Sequence, residues 1–136
     1  TEQYNGQVVF NGILDCAKAC LENDSPVGLG TDTGCPYVTH YDMWRELNYY
    51  HKYCGVSQKF ALYTATKLNA ELAGIGDMTG SIAPGKCADF VVTKENPLEN
   101  LQALRKIEMV VARGKVIEHP TVKKMPEVEK ELDKFL

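Results

Sequence analysis

Hydrophobic residues recur at three- and four-residue steps in several stretches of the chain, which is the spacing of one face of an α-helix. The pattern predicts an amphipathic helix over Val9–Leu21 and a second helix over Asp42–Cys54 that stops at Gly55. A third helix is predicted to begin after Ser57, whose side chain can cap its first turn. The same spacing over Pro126–Leu136 predicts a short helix docked on the surface.

Short apolar runs between glycine and proline residues predict strands. The first run, Val27–Thr31, contains two glycines and ends at Asp32, as a buried strand can. A cluster of glycines that begins at Gly74 then breaks the helical pattern and marks a boundary. Beyond it the pattern predicts three further strands, the last two joined by a tight turn at Arg113–Gly114: Asp89–Thr93, Met109–Ala112 and Lys115–Ile117.

The composition is that of one soluble globular domain, with 136 residues, 44% hydrophobic and 24% charged. The formal net charge is −3 and no basic run is longer than Lys123–Lys124, so we expect no nucleic-acid partner. No apolar run approaches the roughly 20 residues that span a bilayer, so we expect no membrane partner. The 5 cysteines are odd in number and irregularly spaced, and the first residues lack a secretory pattern. We therefore expect a cytoplasmic location.

The segment Gly28–Gly34 invites comparison with a phosphate-binding glycine loop, but the comparison fails in detail. A dinucleotide fingerprint needs glycine where Thr33 stands, and an ionised Asp32 inside the loop would repel a pyrophosphate. Asp32 is the better clue, because α/β barrels place catalytic and metal-binding groups at the carboxyl ends of their strands. Its alternative role is to cap a turn.

The histidines do not complete a metal site. Zinc in proteins normally has at least three protein ligands, and the chain has 3 histidines in all. His40 and His51 are eleven positions apart, which on one helix is about 16 Å along the axis, so they cannot share an ion. Cys35, next to the end of the first predicted strand, either contacts a ligand or is there incidentally.

Five segments of the chain, in this order, form a recognisable combination of motifs. They are Val27–Gly34, Ala65–Gly74, Gly80–Val92, Asn96–Leu98 and Val110–Ile117. The set resembles the C-terminal third of metal-dependent amidohydrolases, especially the imidazolonepropionase-like branch that includes prolidase-like dipeptidases. The resemblance implies an α/β fold in which the last strand of a (β/α)8 TIM barrel delivers Asp32 to a metal centre. It also implies a small β-sandwich domain beside the barrel, of which this chain holds the C-terminal strands.

A full barrel takes about 250 residues, so this chain is interpreted as a C-terminal fragment of such an enzyme. The expected organisation has three parts. Residues 1–74 hold the last β/α units of the barrel, residues 75–118 form strands of the β-sandwich, and residues 119–136 form the C-terminal helix. The remaining metal ligands of the family, namely an HxH pair, a lysine and two further histidines, lie upstream of the part that the chain resembles.

The function implied by the resemblance is hydrolysis of an amide-type C–N bond by metal-activated water, in an amide or a dipeptide such as Xaa-Pro. Asp32 is then both metal ligand and catalytic residue, and one or two divalent ions, zinc being the expected metal, belong to the full-length enzyme. Substrate contacts are expected from the loop after Asp32, at Gly34, Cys35, Tyr37 and His40. For the isolated chain we expect no tightly bound metal, no catalysis, and self-association.

Two alternatives remain open at this point. A deaminase or a cyclic-imide hydrolase would use the same site on a different substrate. A non-catalytic folding or interaction domain would use Asp32 only as a cap.

Overall fold

The computed structural model describes residues 5–136, and its first half is mostly helical. Helix α1 spans Gly6–Glu22, and α2 spans Met43–Cys54. The third helical stretch consists of α3, a π-helical turn and α4, with bounds Gln58–Tyr63, Thr64–Leu68 and Asn69–Leu72. The three helices predicted in this half are confirmed. Helix α1 begins three residues earlier than its apolar spacing predicts, because the Asn5 side chain caps it by accepting a hydrogen bond from the Gln7 backbone N–H (3.0 Å).

Helix α3 begins after Ser57, as predicted. The Ser57 hydroxyl oxygen accepts a hydrogen bond from the backbone N–H of Phe60 at 3.1 Å. Phe60 occupies the position where a capping box has Glu or Gln, so only one of the two reciprocal hydrogen bonds of that motif forms. The cap is sufficient to start a helix that continues through the π-helical turn.

A three-stranded antiparallel sheet follows, in the order β1-β2-β3. Strand β1 spans Phe90–Thr93, β2 spans Ile107–Ala112 and β3 spans Lys115–Glu118. The predicted turn between β2 and β3 is confirmed, with φ of 50° at Arg113 and 79° at Gly114. Two successive positive φ values are those of the two-residue turn that matches the twist of a hairpin, and glycine adopts such a value at no steric cost.

Asp89, which precedes β1, anchors this hairpin to the helical half. Its carboxylate accepts hydrogen bonds from the Arg113 backbone N–H (2.6 Å) and from the Thr79 hydroxyl (2.8 Å). The backbone bond from Arg113 and the Thr79 bond hold the pKa of Asp89 below its ordinary value. The turn of the hairpin is therefore fixed to the glycine-rich connection that follows α4.

The core lies where α2 meets α3 and a 3₁₀ helix over Leu101–Arg105. Its buried side chains are Leu47, Tyr50, Ala61 and Leu101. Leu101 is 1% exposed, so the 3₁₀ helix inserts an apolar residue directly into the helical core. At the end of the chain, α5 spans Pro126–Leu132 and a 3₁₀ turn spans Asp133–Phe135. The predicted C-terminal helix is confirmed over its first seven residues. Over residues 5–136, no helix combines the length and the apolar character needed to cross a membrane.

The strand predicted over Val27–Thr31 is wrong as secondary structure. These residues have no regular secondary structure, and within residues 5–136 they pair with no strand; they are called the extended segment below. A strand requires backbone hydrogen bonds to a neighbouring strand, and apolar spacing cannot show whether that neighbour is present. The expected barrel architecture is therefore visible only as helices that flank one extended segment.

Candidate functional site

Asp32 lies at the end of the extended segment, and this segment is held by a side chain from α4. The Asn69 carboxamide donates a hydrogen bond to the carbonyl oxygen of Leu29 (2.8 Å) and accepts one from the Leu29 backbone N–H (2.9 Å). A side-chain amide thus takes the place of a neighbouring strand at this residue. The position of Asp32, three residues further along, follows from this clamp.

Gly28 is where the clamp requires the absence of a side chain. A Cβ atom at Gly28 would lie 2.3 Å from Asn69 Oδ1 and 3.1 Å from Leu72 Cδ1. Asn69 cannot move away without breaking both of its hydrogen bonds to Leu29. Glycine at this position therefore permits the close approach of the extended segment to α4.

The chain turns sharply after Asp32. The backbone N–H of Cys35 donates to the Asp32 carbonyl oxygen (3.2 Å), and the N–H of Val38 donates to the Cys35 carbonyl oxygen (3.0 Å). Asp32 and Tyr37 have φ of 51° and 64°, a region that non-glycine residues rarely adopt and that clusters at functional sites. The structure therefore places Gly34 and Cys35 in the same tight turn as Asp32, with the Asp32 side chain exposed.

Tyr37 and His40 lie further along the same loop. Tyr37 is 61% exposed and lines a groove of about 550 Å³ whose other wall is α5. The His40 ring contacts the edge of Tyr41, with ring centroids 5.1 Å apart. Both side chains are accessible, but Tyr37 lies against the C-terminal helix. Substrate contact by Gly34, Cys35, Tyr37 and His40 remains a prediction.

Glu46 on α2 is a second carboxylate close to Asp32, and sequence reasoning missed it. Burial raises the pKa of Glu46, and the negative charge of Asp32 raises it further. Glu46 lines a largely apolar cavity of about 720 Å³ between α1, the extended segment and α2. Its spacing from Tyr49 and Tyr50 puts it on the same face of α2 as these aromatic residues, which is the sequence signal that could have identified it.

The chain matches the model of the amidohydrolase family over residues 9–117. It belongs to the amidohydrolase family. A curated relative, guanine deaminase from Escherichia coli (strain K12), is 32% identical over 114 residues, which is 79% of this chain and 24% of the relative. The amidohydrolase chain described here thus spans about a quarter of that protein's length.

Solved structures agree with this membership. A protein provisionally assigned as a prolidase from Bifidobacterium longum is 37% identical, with a TM-score of 0.86 over 89% of this chain and 30% of its own. A Xaa-Pro dipeptidase with methionine bound in its active site is 33% identical, with a TM-score of 0.70 over 78% of this chain and 25% of its own. The chain spans 30% and 25% of these two solved chains, so the fold described here is shared with part of proteins about three times as long.

Amidohydrolases generally use divalent metals, which are bound by His, Cys, Asp and Glu side chains. Within residues 5–136 there is no group of three or more His, Cys, Asp or Glu side chains that could hold a metal. Asp32 is exposed and its oxygen atoms are of the kind that zinc accepts. The donor chemistry of Asp32 is therefore compatible with a divalent metal, and its role as one ligand of a larger set remains a prediction.

Proposed function

We propose that this chain is the C-terminal part of an amidohydrolase that hydrolyses an amide-type C–N bond, with Asp32 as metal ligand and catalytic residue. The observation that carries the proposal is the family match over residues 9–117, which includes the extended segment, Asp32 and the following turn. The best-supported substrate class is a dipeptide with proline in second position. Two solved structures support this substrate class: the protein provisionally assigned as a prolidase, at 37% sequence identity, and the Xaa-Pro dipeptidase, at 33%.

When bound, a divalent metal would lower the pKa of water and polarise the scissile carbonyl group. Asp32 would be one of the residues that hold the ion, and its carboxylate would accept a proton from the attacking water. It would then give that proton to the departing nitrogen, so that the amine leaves in neutral form. The clamp from Asn69 to Leu29 and the turn closed by Cys35 would keep the carboxylate in place through both proton transfers.

The loop after Asp32 would form one wall of the substrate pocket. Loops at the carboxyl ends of barrel strands carry substrate specificity. Gly34 and Cys35 would contact the substrate nearest to Asp32, and His40 would contact it through its exposed ring. Tyr37 has a second role open to it, packing against α5, because it already lines the groove there.

A second candidate is deamination of a heteroaromatic ring. The 32% identity to guanine deaminase over 79% of the chain supports it, and the same metal, water and Asp32 would serve. The two candidates differ in the leaving group. A dipeptidase releases free proline, whereas a deaminase releases ammonia.

The test is to supply the full-length protein that carries this chain, loaded with zinc, separately with Ala-Pro, Met-Pro and guanine. Free proline is measured by amino-acid chromatography and ammonia by a coupled enzymatic assay. We expect proline release from at least one dipeptide and no ammonia from guanine. Ammonia without proline would favour the deaminase, and neither product from folded, metal-loaded protein would contradict both candidates.

A further inference from the structure

The C-terminal segment, residues 119–136, contacts the loop that follows Asp32. The backbone N–H of Met125 donates a hydrogen bond to the Tyr41 hydroxyl at 2.8 Å. The ammonium of Lys124 lies 5.9 Å from the centre of the Tyr41 ring. Tyr41 in turn contacts His40 edge to face at 5.1 Å. A continuous set of contacts therefore leads from this segment to a predicted substrate contact.

Arg45 forms a second and more buried connection between the segment and the loop. Its guanidinium is 3% exposed and lies 2.7 Å from Asp133, 3.3 Å from Glu129 and 3.3 Å from Asp42. Asp42 ends the loop, and its carboxylate also accepts hydrogen bonds from the Thr39 hydroxyl (2.8 Å) and the Trp44 indole (3.0 Å). One buried cation thus joins the end of the loop to α5 and to the 3₁₀ turn after it.

The charges in this cluster nearly balance, which limits the cost of burying Asp42, Arg45 and Glu129, while Asp133 stays 38% exposed. Arg105 adds a second cation, 3.0 Å from Asp133 and 4.9 Å from the centre of the Trp44 ring. Two cations therefore face the carboxylates of Asp42, Glu129 and Asp133. Burial, together with the neighbouring Asp42 carboxylate, raises the pKa of Glu129, so the ionised form of Glu129 is less favoured than that of an ordinary glutamate.

The contacts that lead to the loop come from residues 124–133 of the segment. The backbone carbonyl of Phe135, beyond them, accepts hydrogen bonds from Lys52 (2.9 Å) and Tyr53 (3.1 Å) near the end of α2. The family match stops at residue 117, so both sets of contacts come from residues beyond it. Only the first set reaches the loop.

We propose that residues 119–136 act as a brace that holds loop 33–42 in position and thereby sets substrate acceptance, with Tyr41 and Arg45 as positioning residues. The consequence for substrate rests on the proposed function. The brace itself does not, because it concerns the position of the loop. Loop 33–42 carries two positive-φ residues, Gly34 and Tyr37, and follows an exposed carboxylate, Asp32, so it gains order from such a support.

The test compares Tyr41→Phe with Tyr53→Phe in the full-length protein. Each variant removes one tyrosine hydroxyl that bonds to the backbone of the segment, but only Tyr41 belongs to the loop. Hydrogen exchange of the backbone amides is followed by mass spectrometry. Loss of one hydrogen bond should speed exchange in residues 33–42 by roughly two- to tenfold in Tyr41→Phe and leave it unchanged in Tyr53→Phe. Equal exchange of the loop in wild type and Tyr41→Phe, or equal acceleration in both variants, would overturn the proposal.

A kinetic measurement addresses the substrate consequence. With Ala-Pro and Met-Pro, Tyr41→Phe should raise KM by roughly two- to tenfold, unequally for the two dipeptides, with kcat within about twofold of wild type. Asp133→Ala should act in the same direction, because it removes the carboxylate that lies 2.7 Å from Arg45. An unchanged KM ratio despite faster exchange would refute the role in substrate acceptance. Absence of dipeptide turnover in wild type would instead contradict the proposed function, while the exchange comparison would still decide on the brace.

Discussion

Replacing Gly28 by alanine tests whether the extended segment before Asp32 is held by α4. The new Cβ atom would lie 2.3 Å from Asn69 Oδ1, so either Asn69 or the segment must move. Movement of Asn69 sacrifices its two hydrogen bonds to Leu29, at 2.8 Å and 2.9 Å. A net contribution of about 0.5–1.5 kcal/mol for each bond gives a loss of about 1–3 kcal/mol. Alanine restricts the unfolded chain and returns about 0.4–1 kcal/mol, which leaves a net destabilisation of about 0–2.6 kcal/mol, with a midpoint of about 1.3 kcal/mol.

Gly30→Ala is the matched control, because no heavy atom of the described part of the chain lies within 4 Å of its Cβ position. We expect this variant to be neutral or slightly more stable than wild type. The assay is urea unfolding of each variant followed by circular dichroism, with the slope of the transition compared to confirm that only stability has changed.

The double variant sharpens the test. In an Asn69→Ala background the contact with the Asn69 side chain is gone and only the 3.1 Å approach to the flexible Leu72 side chain remains, so adding Gly28→Ala should cost much less than it does alone. Equal effects of Gly28→Ala and Gly30→Ala, or full additivity with Asn69→Ala, would refute the clamp as the feature that positions Asp32.

Three further predictions concern charge, metal and assembly. The pKa of Glu129 is raised in the folded protein, so its contribution to stability is complete below its ordinary pKa of 4.5 and is lost as pH rises through the folded-state pKa. In urea unfolding, the stability advantage of wild type over Glu129→Gln should therefore shrink from pH 4 to pH 7. An advantage that grows with pH would show that the ion pair with Arg45 dominates. The isolated chain, dialysed extensively, should hold less than stoichiometric zinc by elemental analysis, because Asp32 supplies a single ligand; one tightly held zinc per chain would refute this. The isolated chain should self-associate, because Val8 and Ile13 on α1 are 66% and 61% exposed; light scattering that gives a monomer mass at every concentration would contradict it.

Local patterns predicted most of the helices and the hairpin of this chain. Features that depend on residues adjacent in sequence were predicted correctly. They include the helix α2, the cap at Ser57 and the turn at Arg113–Gly114. The 3₁₀ helix over Leu101–Arg105 was not predicted, because its short length carries no clear period. The segment Val27–Thr31 has the composition of a strand, but its state depends on a distant partner.

In the candidate site, too, features set by local sequence were predicted and features set by distant contacts were not. The position of Asp32 at the end of an extended segment was expected, because an Asp after a glycine-rich apolar run is a local signal. The Asn69 clamp joins residues 40 positions apart, and Arg45 meets Asp133 across 88 positions. Asn and Arg occur on many helices without such roles, so no local pattern distinguishes them. Their contributions become visible only when the helices are packed.

The most direct test of the account is the turnover of Asp32→Ala in the full-length protein, measured beside Asp24→Ala on the substrate that wild type hydrolyses. Asp24 is the matched control, because it is also exposed and has the same φ of 51°. We predict that Asp32→Ala lowers kcat by about 10²-fold or more while its melting temperature stays near that of wild type, and that Asp24→Ala retains full activity. Retention of most activity in Asp32→Ala would show that Asp32 only caps a turn and would contradict the central claim.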